Sequence, residues 1–193
     1  MYRNFSIILK CIFISAVVVS CANKQDIQPE NTQASFVTMH HSKLHIPVNA
    51  TYQWSEGFVR QVSEGRLHYI DMWSLLKQGI EQEMQNKGYR KIAQTEQADI
   101  DISFVAALTS ALDDNEIQQK YGLVPGLMTQ RVDHHRYEKG SLIFDVVNPK
   151  TQQLAWRTAG QALASLEDIP LVERQARIEI FVKKLLNFLP DAK

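Results

Sequence analysis

Apolar residues recur along this chain with two periods, one of two residues and one near 3.6, and these predict most of its elements. The clearest period-two stretch runs from Gly140 to Gly160. Two apolar runs there flank the polar segment Asn148-Pro149-Lys150-Thr151, which is the pattern of a β-hairpin. Pro149 has no N–H to give a ladder, so the first strand should stop at Asn148. Setting Asp145 opposite Arg157 puts Val146 opposite Trp156. Leu142, Phe144 and Val146 then share a face with Leu154 and Trp156. A slip of one residue would set Asp145 against the indole, so one register is favoured. In that register Asp145–Arg157 reads as an exposed pair.

Asp99 to Leu108 alternates strictly at its start, with Ile100, Ile102 and Phe104 inward and Asp99, Asp101 and Ser103 outward. That is a half-buried strand. Ala50 to Trp54 gives a shorter strand with Tyr52 and Trp54 on one face, and β-like pieces run from Phe36 to Val48. The helical period appears twice. Trp73, Leu76, Ile80 and Met84 form one stripe from Met72 to Lys87, with Asp71 placed to cap it and Gly88 to end it. Ile178, Phe181, Val182, Leu185 and Leu189 form a second stripe from Leu171 to Leu189, between Pro170 and Pro190. Residues 55–69 predict no element. Ala111 to Gln130 reads as a long polar insertion, and loops of that length are functional or mobile.

The first residues follow neither period. Residues 1–20 read as a signal peptide, with Arg3 ahead of an apolar run from Cys11 to Val19. Nine apolar residues cannot span a bilayer, which needs about 20. Val18-Val19-Ser20-Cys21 resembles the lipobox of bacterial lipoproteins, whose cysteine becomes the acylated first residue. That resemblance implies acyl chains on Cys21, and Ala22 after it implies the outer membrane. The chain would then hold residues 1–20 as signal, 21–35 as lipidated cysteine and flexible tether, and 36–193 as the folded domain. Cys11 and Cys21 are the two cysteines, so the mature domain would carry neither a free thiol nor a disulfide.

Composition adds exclusions. The 193 residues are 45% hydrophobic and 22% charged, as in ordinary folded domains. Lys plus Arg and Asp plus Glu are 21 each, and losing Arg3 and Lys10 with the first twenty residues leaves about −2. That balance argues against a nucleic-acid partner. We expect one α+β domain: a mostly antiparallel sheet of about four strands, with two amphipathic helices packed on one face.

Several short motifs occur in a suggestive order. They are Thr51-Tyr-Gln-Trp54, Asn86-Lys-Gly-Tyr-Arg90, Ala98-Asp99, Lys139-Gly-Ser-Leu-Ile-Phe-Asp145, Leu154-Ala-Trp-Arg157 and Phe188-Leu-Pro190. Together these resemble the DUF4136-type lipoproteins of Gram-negative bacteria over residues 46–190. Ala98 stands where a proline often precedes the aspartate, and Thr158 where a glycine often follows Trp-Arg. The resemblance implies an architecture and an envelope location. It implies no activity, because that family's function is undefined.

Catalytic signatures are missing: the sequence has no Gly-x-Ser-x-Gly, no His-Glu-x-x-His, no phosphate-binding glycine loop and no Cys-x-x-Cys. His40-His41 and His134-His135 read as loop or solvated histidines, since neighbours on a strand point to opposite faces. Asp113-Asp-Asn-Glu116 lacks the glycine and last glutamate of a calcium loop and reads as a solvated turn. No catalytic residue, metal or cofactor is expected. Leu123, Val124, Leu127 and Met128 surround Pro125-Gly126, a turn that would either pack them down on the domain or present them to a partner or lipid. The expected function is therefore a membrane-anchored, non-catalytic module binding an envelope protein or lipid. A periplasmic small-ligand carrier is the alternative and would need an apolar cavity between helices and sheet. An envelope enzyme would need converging polar groups in a pocket.

Overall fold

The computed structural model describes residues 33–40, 46–55, 69–93, 96–129 and 132–193. Its elements in chain order are β1 (Ala34–His40), β2 (Thr51–Trp54), α1 (Tyr69–Asn86), β3 (Arg90–Lys91), β4 (Ile100–Leu108), α2 (Asp114–Tyr121), β5 (Tyr137–Val147), β6 (Leu154–Ser165) and α3 (Leu171–Leu185). The six strands make one sheet in the order β1-β6-β5-β4-β2-β3.

The central hairpin takes the predicted register, with Asp145 opposite Arg157 and Val146 opposite Trp156. A bulge after Val146 sets Val147 against Leu154, which leaves Leu154 half-buried. The Asn148 side chain closes the turn by accepting from the N–H groups of Lys150 and Thr151.

The expected four-stranded sheet with two helices is corrected, among the described residues, to six strands, partly parallel, and three helices. The parallel part follows from α1. A helix of 18 residues carries the chain about 27 Å, so β3 re-enters beside β2 in the same direction. β2 also runs parallel to β4, while in the order β1, β6, β5, β4 each strand is antiparallel to its neighbour. Helix α1 begins at Tyr69, so Asp71 lies inside its first turn rather than capping it. Gly88 takes the predicted left-handed position with φ of 91°. Helix α3 stops at Leu185, and Leu186 and Leu189 are buried in the turns that follow.

Strand alternation sends side chains to two faces with different covers. On one face lie Tyr52, Ile100, Ile102, Phe104, Leu142, Phe144, Val146 and Trp156, packed against Leu76, Ile80 and Met84 of α1 and Ile178, Val182 and Leu185 of α3. The two predicted stripes thus share one face, as expected. On the opposite face Ala107, Ile143 and Ala159 meet Leu112, Ile117 of α2 and Leu123. The stretch expected to be a loop contains that third helix.

Helix α2 forms because its start is well capped. Asp113 accepts from the Glu116 N–H at 2.8 Å, and Glu116 accepts from the Asp113 N–H at 3.1 Å. This reciprocal capping box replaces the solvated turn expected at Asp113–Glu116. Gly122, with φ of 76°, ends the helix in the left-handed conformation.

Candidate functional site

Residue size on the helix-covered face of the sheet falls from one end to the other. Phe104, Phe144 and Trp156 fill one end completely, being at most 5% exposed. Further along the same rows the sequence supplies Ala106, Gly140, Gly160 and Ala162, with Gly140 set between Leu108 and Ala162. At Gly160 the space is taken by Phe36 and Phe181, whose rings lie 5.2 Å apart. A Cβ there would come within 2.6 Å of Phe181 Cζ and 2.8 Å of Phe36 Cδ1. Among the described residues nothing fills the gap over Ala106, Gly140 and Ala162. The helices bridge it and leave a pocket of about 290 Å³.

Met72, Trp73 and Leu76 of α1 and Ile178 and Phe181 of α3 form the pocket walls. Trp73 is fixed by stacking on Phe104 at 4.7 Å between centroids. The segment Leu166–Ile169 closes one side, where Glu167 and Asp168 are exposed and mark the mouth. Two guanidinium groups join this apolar lining. Arg174 donates to Asp168 Oδ1 at 3.0 Å and to the Ile169 carbonyl at 3.4 Å. Arg177 donates through Nη2 to Glu173 Oε1 at 2.5 Å. Its Nε is buried and has no hydrogen-bond partner among the described residues.

A second, polar groove of about 670 Å³ runs beside Tyr52, Glu81, Gln82, Tyr89 and Lys91. Its carboxylate is already engaged. Glu81 accepts from Trp54 Nε1 at 2.8 Å and from Lys91 Nζ at 2.6 Å. Burial alone would raise its pKa, yet these donors outweigh burial and hold it below the usual value. The phenols of Tyr52 and Tyr89 are pushed upward, chiefly by burial. Glu81 accepts both bonds on Oε1 and lies near two phenols that burial keeps protonated.

The opposite face carries a polar network under α2. Gln161, fully buried, donates to Asp114 Oδ1 at 2.7 Å and to Ser141 Oγ at 3.2 Å, and accepts from the Leu127 N–H at 3.0 Å. Lys139 reaches Asp114 Oδ2 at 2.7 Å. Arg157 grips Asp145 with two bonds of 2.6 and 2.5 Å, donates to the Tyr121 carbonyl at 2.9 Å, and lies over the Tyr121 ring. Ser35 donates to the Pro125 carbonyl. The Asp145–Arg157 pair, expected to be exposed, is only 17% and 15% exposed, because α2 and its following loop cover it. Asp99 and Asp101 are separately occupied by Thr51 and Gln53.

The candidate loop is split by this packing. Leu123 is 7% exposed and belongs to the second core, while Met128 is 68% exposed. Val124 and Leu127 are half-buried. The turn at Pro125-Gly126 therefore does not present all four apolar residues together. Cys21, Val18, Val19, Ser20 and His41 lie outside the described residues. His40 ends β1 and stacks on Trp156 at 5.4 Å. His134 and His135 are exposed in the turn before β5. Among the described residues no three His, Cys, Asp or Glu side chains gather as metal ligands. None of the described helices is long and apolar enough to cross a membrane. Sequence reasoning named neither Arg174 nor Arg177, and missed the run of small residues that makes the pocket floor. Ala106, Gly140, Gly160 and Ala162 at alternating positions were the available signal.

A sheet carrying two long helices on one face and a short capped helix on the other defines a single α+β domain. Residues 40–190 match DUF4136, a domain of unknown function, and the chain belongs to that family. Among solved structures it is similar to the PelC dodecamer from Paraburkholderia phytofirmans, at 8% identity and TM-score 0.47 over 80% of this chain and 95% of that one. It is also similar to a DUF4136 family protein from Bacteroides thetaiotaomicron, at 16% identity and TM-score 0.44 over 80% and 94% of the two chains. A PDZ domain protein from Parabacteroides distasonis aligns at 14% identity and TM-score 0.46, over 82% of this chain and 36% of that one. No curated protein matches the chain.

Proposed function

We propose that this protein is a lipid-anchored, non-catalytic binding module of the bacterial envelope that holds a small apolar ligand between its helices and its sheet. The observation that carries this reading is the pocket of about 290 Å³ over Ala106, Gly140 and Ala162. An engineered apolar cavity of about 150 Å³ already takes up benzene, and ligand pockets begin near 300 Å³. Of the three functions considered from the sequence, the carrier is the one that required such a cavity. The anchor is acyl chains on Cys21 after cleavage behind Val18-Val19-Ser20, and the location is the outer membrane. Several chains together hold far more firmly than one.

Ligand uptake is tested with Cys21→Ala protein, which stays unacylated, and the fluorescent apolar probe N-phenyl-1-naphthylamine. Saturable fluorescence gain is expected. Ala162→Leu, which adds its side chain to the empty space, should abolish the gain without lowering Tm. Equal probe uptake by both proteins would remove the pocket as the site. Anchoring is tested by feeding cells a fatty-acid analogue: wild type should be labelled and membrane-bound, and Cys21→Ala neither. An unlabelled, soluble wild-type protein would overturn the lipoprotein assignment.

A further inference from the structure

Resting on the pocket reading above, we infer that the ligand is a single acyl chain with an oxygen-bearing head, drawn from the bilayer that anchors the protein. Six carbons of benzene occupy a cavity of about 150 Å³, so this one suits a chain of roughly a dozen carbons. The head is indicated by Arg177. Its Nη2 is held by Glu173, which fixes the guanidinium at the pocket wall, while its buried Nε has no acceptor. Buried donors are nearly always satisfied, and a carboxylate or ester oxygen in the pocket would satisfy this one. Arg174 is already committed to Asp168 and Ile169, so the head falls to Arg177.

The source is indicated by the mouth. Leu171 and Val172, 56% and 75% exposed, stand at the start of α3 next to Ile169 on the pocket rim. Exposed apolar groups beside an apolar pocket suit a lipid surface. The described chain begins at the same end: β1 starts at Ala34, whose partner Ala162 is on the pocket floor. Thirteen residues reach at most about 45 Å even when fully extended, so an acylated Cys21 would keep the mouth within that distance of the membrane.

The test uses full-length acylated protein in vesicles of phosphatidylethanolamine and phosphatidylglycerol. These carry either a diazirine analogue of decanoic acid or an alkyl diazirine of equal length without the head. The acid should crosslink to peptides containing Trp73 or Ala162. Arg177→Gln should cut acid labelling about tenfold, as for loss of a bond to a charged group, and leave alkyl labelling unchanged. Glu173→Gln, which keeps the guanidinium, should not reduce it. Leu171→Ser with Val172→Ser should slow labelling from vesicles but not labelling by acid added from solution. Acid and alkyl probes labelling equally, with no effect of Arg177→Gln, would overturn the head-group assignment while the pocket reading stands. Unchanged uptake from vesicles in the rim variant would overturn the bilayer source. Absence of labelling by either probe, with naphthylamine uptake also absent, would overturn the pocket reading itself.

Discussion

The two faces of the sheet are covered by different means. On one face, two long helices settle mainly through apolar side chains, with the Trp54–Glu81 and Thr158–Leu185 hydrogen bonds among the few polar contacts to the sheet. On the other, a helix of eight residues buries Ile117 and Leu112 and is otherwise pinned by Gln161, Asp114, Lys139 and Arg157. The difference follows from length. A long amphipathic stripe buries enough area to dock without directional bonds, at about 25 cal/mol per Å². A short helix does not, so hydrogen bonds with defined partners fix where it sits. The apolar face can therefore leave a gap at one end and still hold, whereas the polar face leaves its buried groups no such slack.

That contrast can be broken at four points, in order of falling effect. On the apolar face, Trp156→Ala should cost about 3–5 kcal/mol in chemical denaturation, since its ring is buried between Val146 and His40. On the polar face, Leu123→Ala should cost about 2–3 kcal/mol, because Leu123 is part of the second core rather than a free loop. A cost below about 0.5 kcal/mol would show that α2 contributes little to folding.

The third point is acid. Burial would raise the pKa of Asp114, but hydrogen bonds from Lys139 and Gln161 outweigh it and hold the group below its ordinary value of 3.8. A carboxylate depressed in the folded state stabilises above its unfolded pKa, and the contribution fades as pH falls through the folded value. Amide exchange in α2 should therefore quicken below about pH 4, ahead of exchange in α1. Asp114 is 40% exposed, so the effect should stay under about 1 kcal/mol. Asp114→Asn should flatten the difference between the two helices. The smallest effect is expected from Met128→Ser, within about 0.5 kcal/mol, as for an exposed residue without burial.

The same contrast explains what could be read from the chain. The register of the hairpin was legible because Asp145 and Trp156 demand different surroundings. Both long helices were legible because four or five apolar residues repeat at one spacing. Helix α2 was hidden, since a single buried isoleucine, Ile117, makes no stripe. Its capping box at Asp113 and Glu116 stands in the sequence, but without an apolar stripe behind it the same residues read equally as a solvated turn. A further sign lay in β4, where alternation gives way to Val105-Ala-Ala-Leu108. Apolar residues on both faces mean that both faces are covered. β2 was legible in Ala50–Trp54, but β3 was not, because a strand of two residues has no pattern of its own. The pocket depends on what the sheet lacks, and small residues carry a weak signal until their rows are aligned.

The position of β1 has a consequence in time. It is the first described strand to be synthesised, and its sole partner is β6: Thr38 meets Thr158, 120 positions later. Pairings this distant in sequence close slowly, because the loop entropy precedes any gain. Until β6 exists, β1 is an unpaired strand carrying Phe36 and Val37, the kind of segment that pairs with other chains. Completion of the sheet therefore waits for nearly the whole chain, and β1 can dock only after the hairpin and the helices have formed the surface it joins.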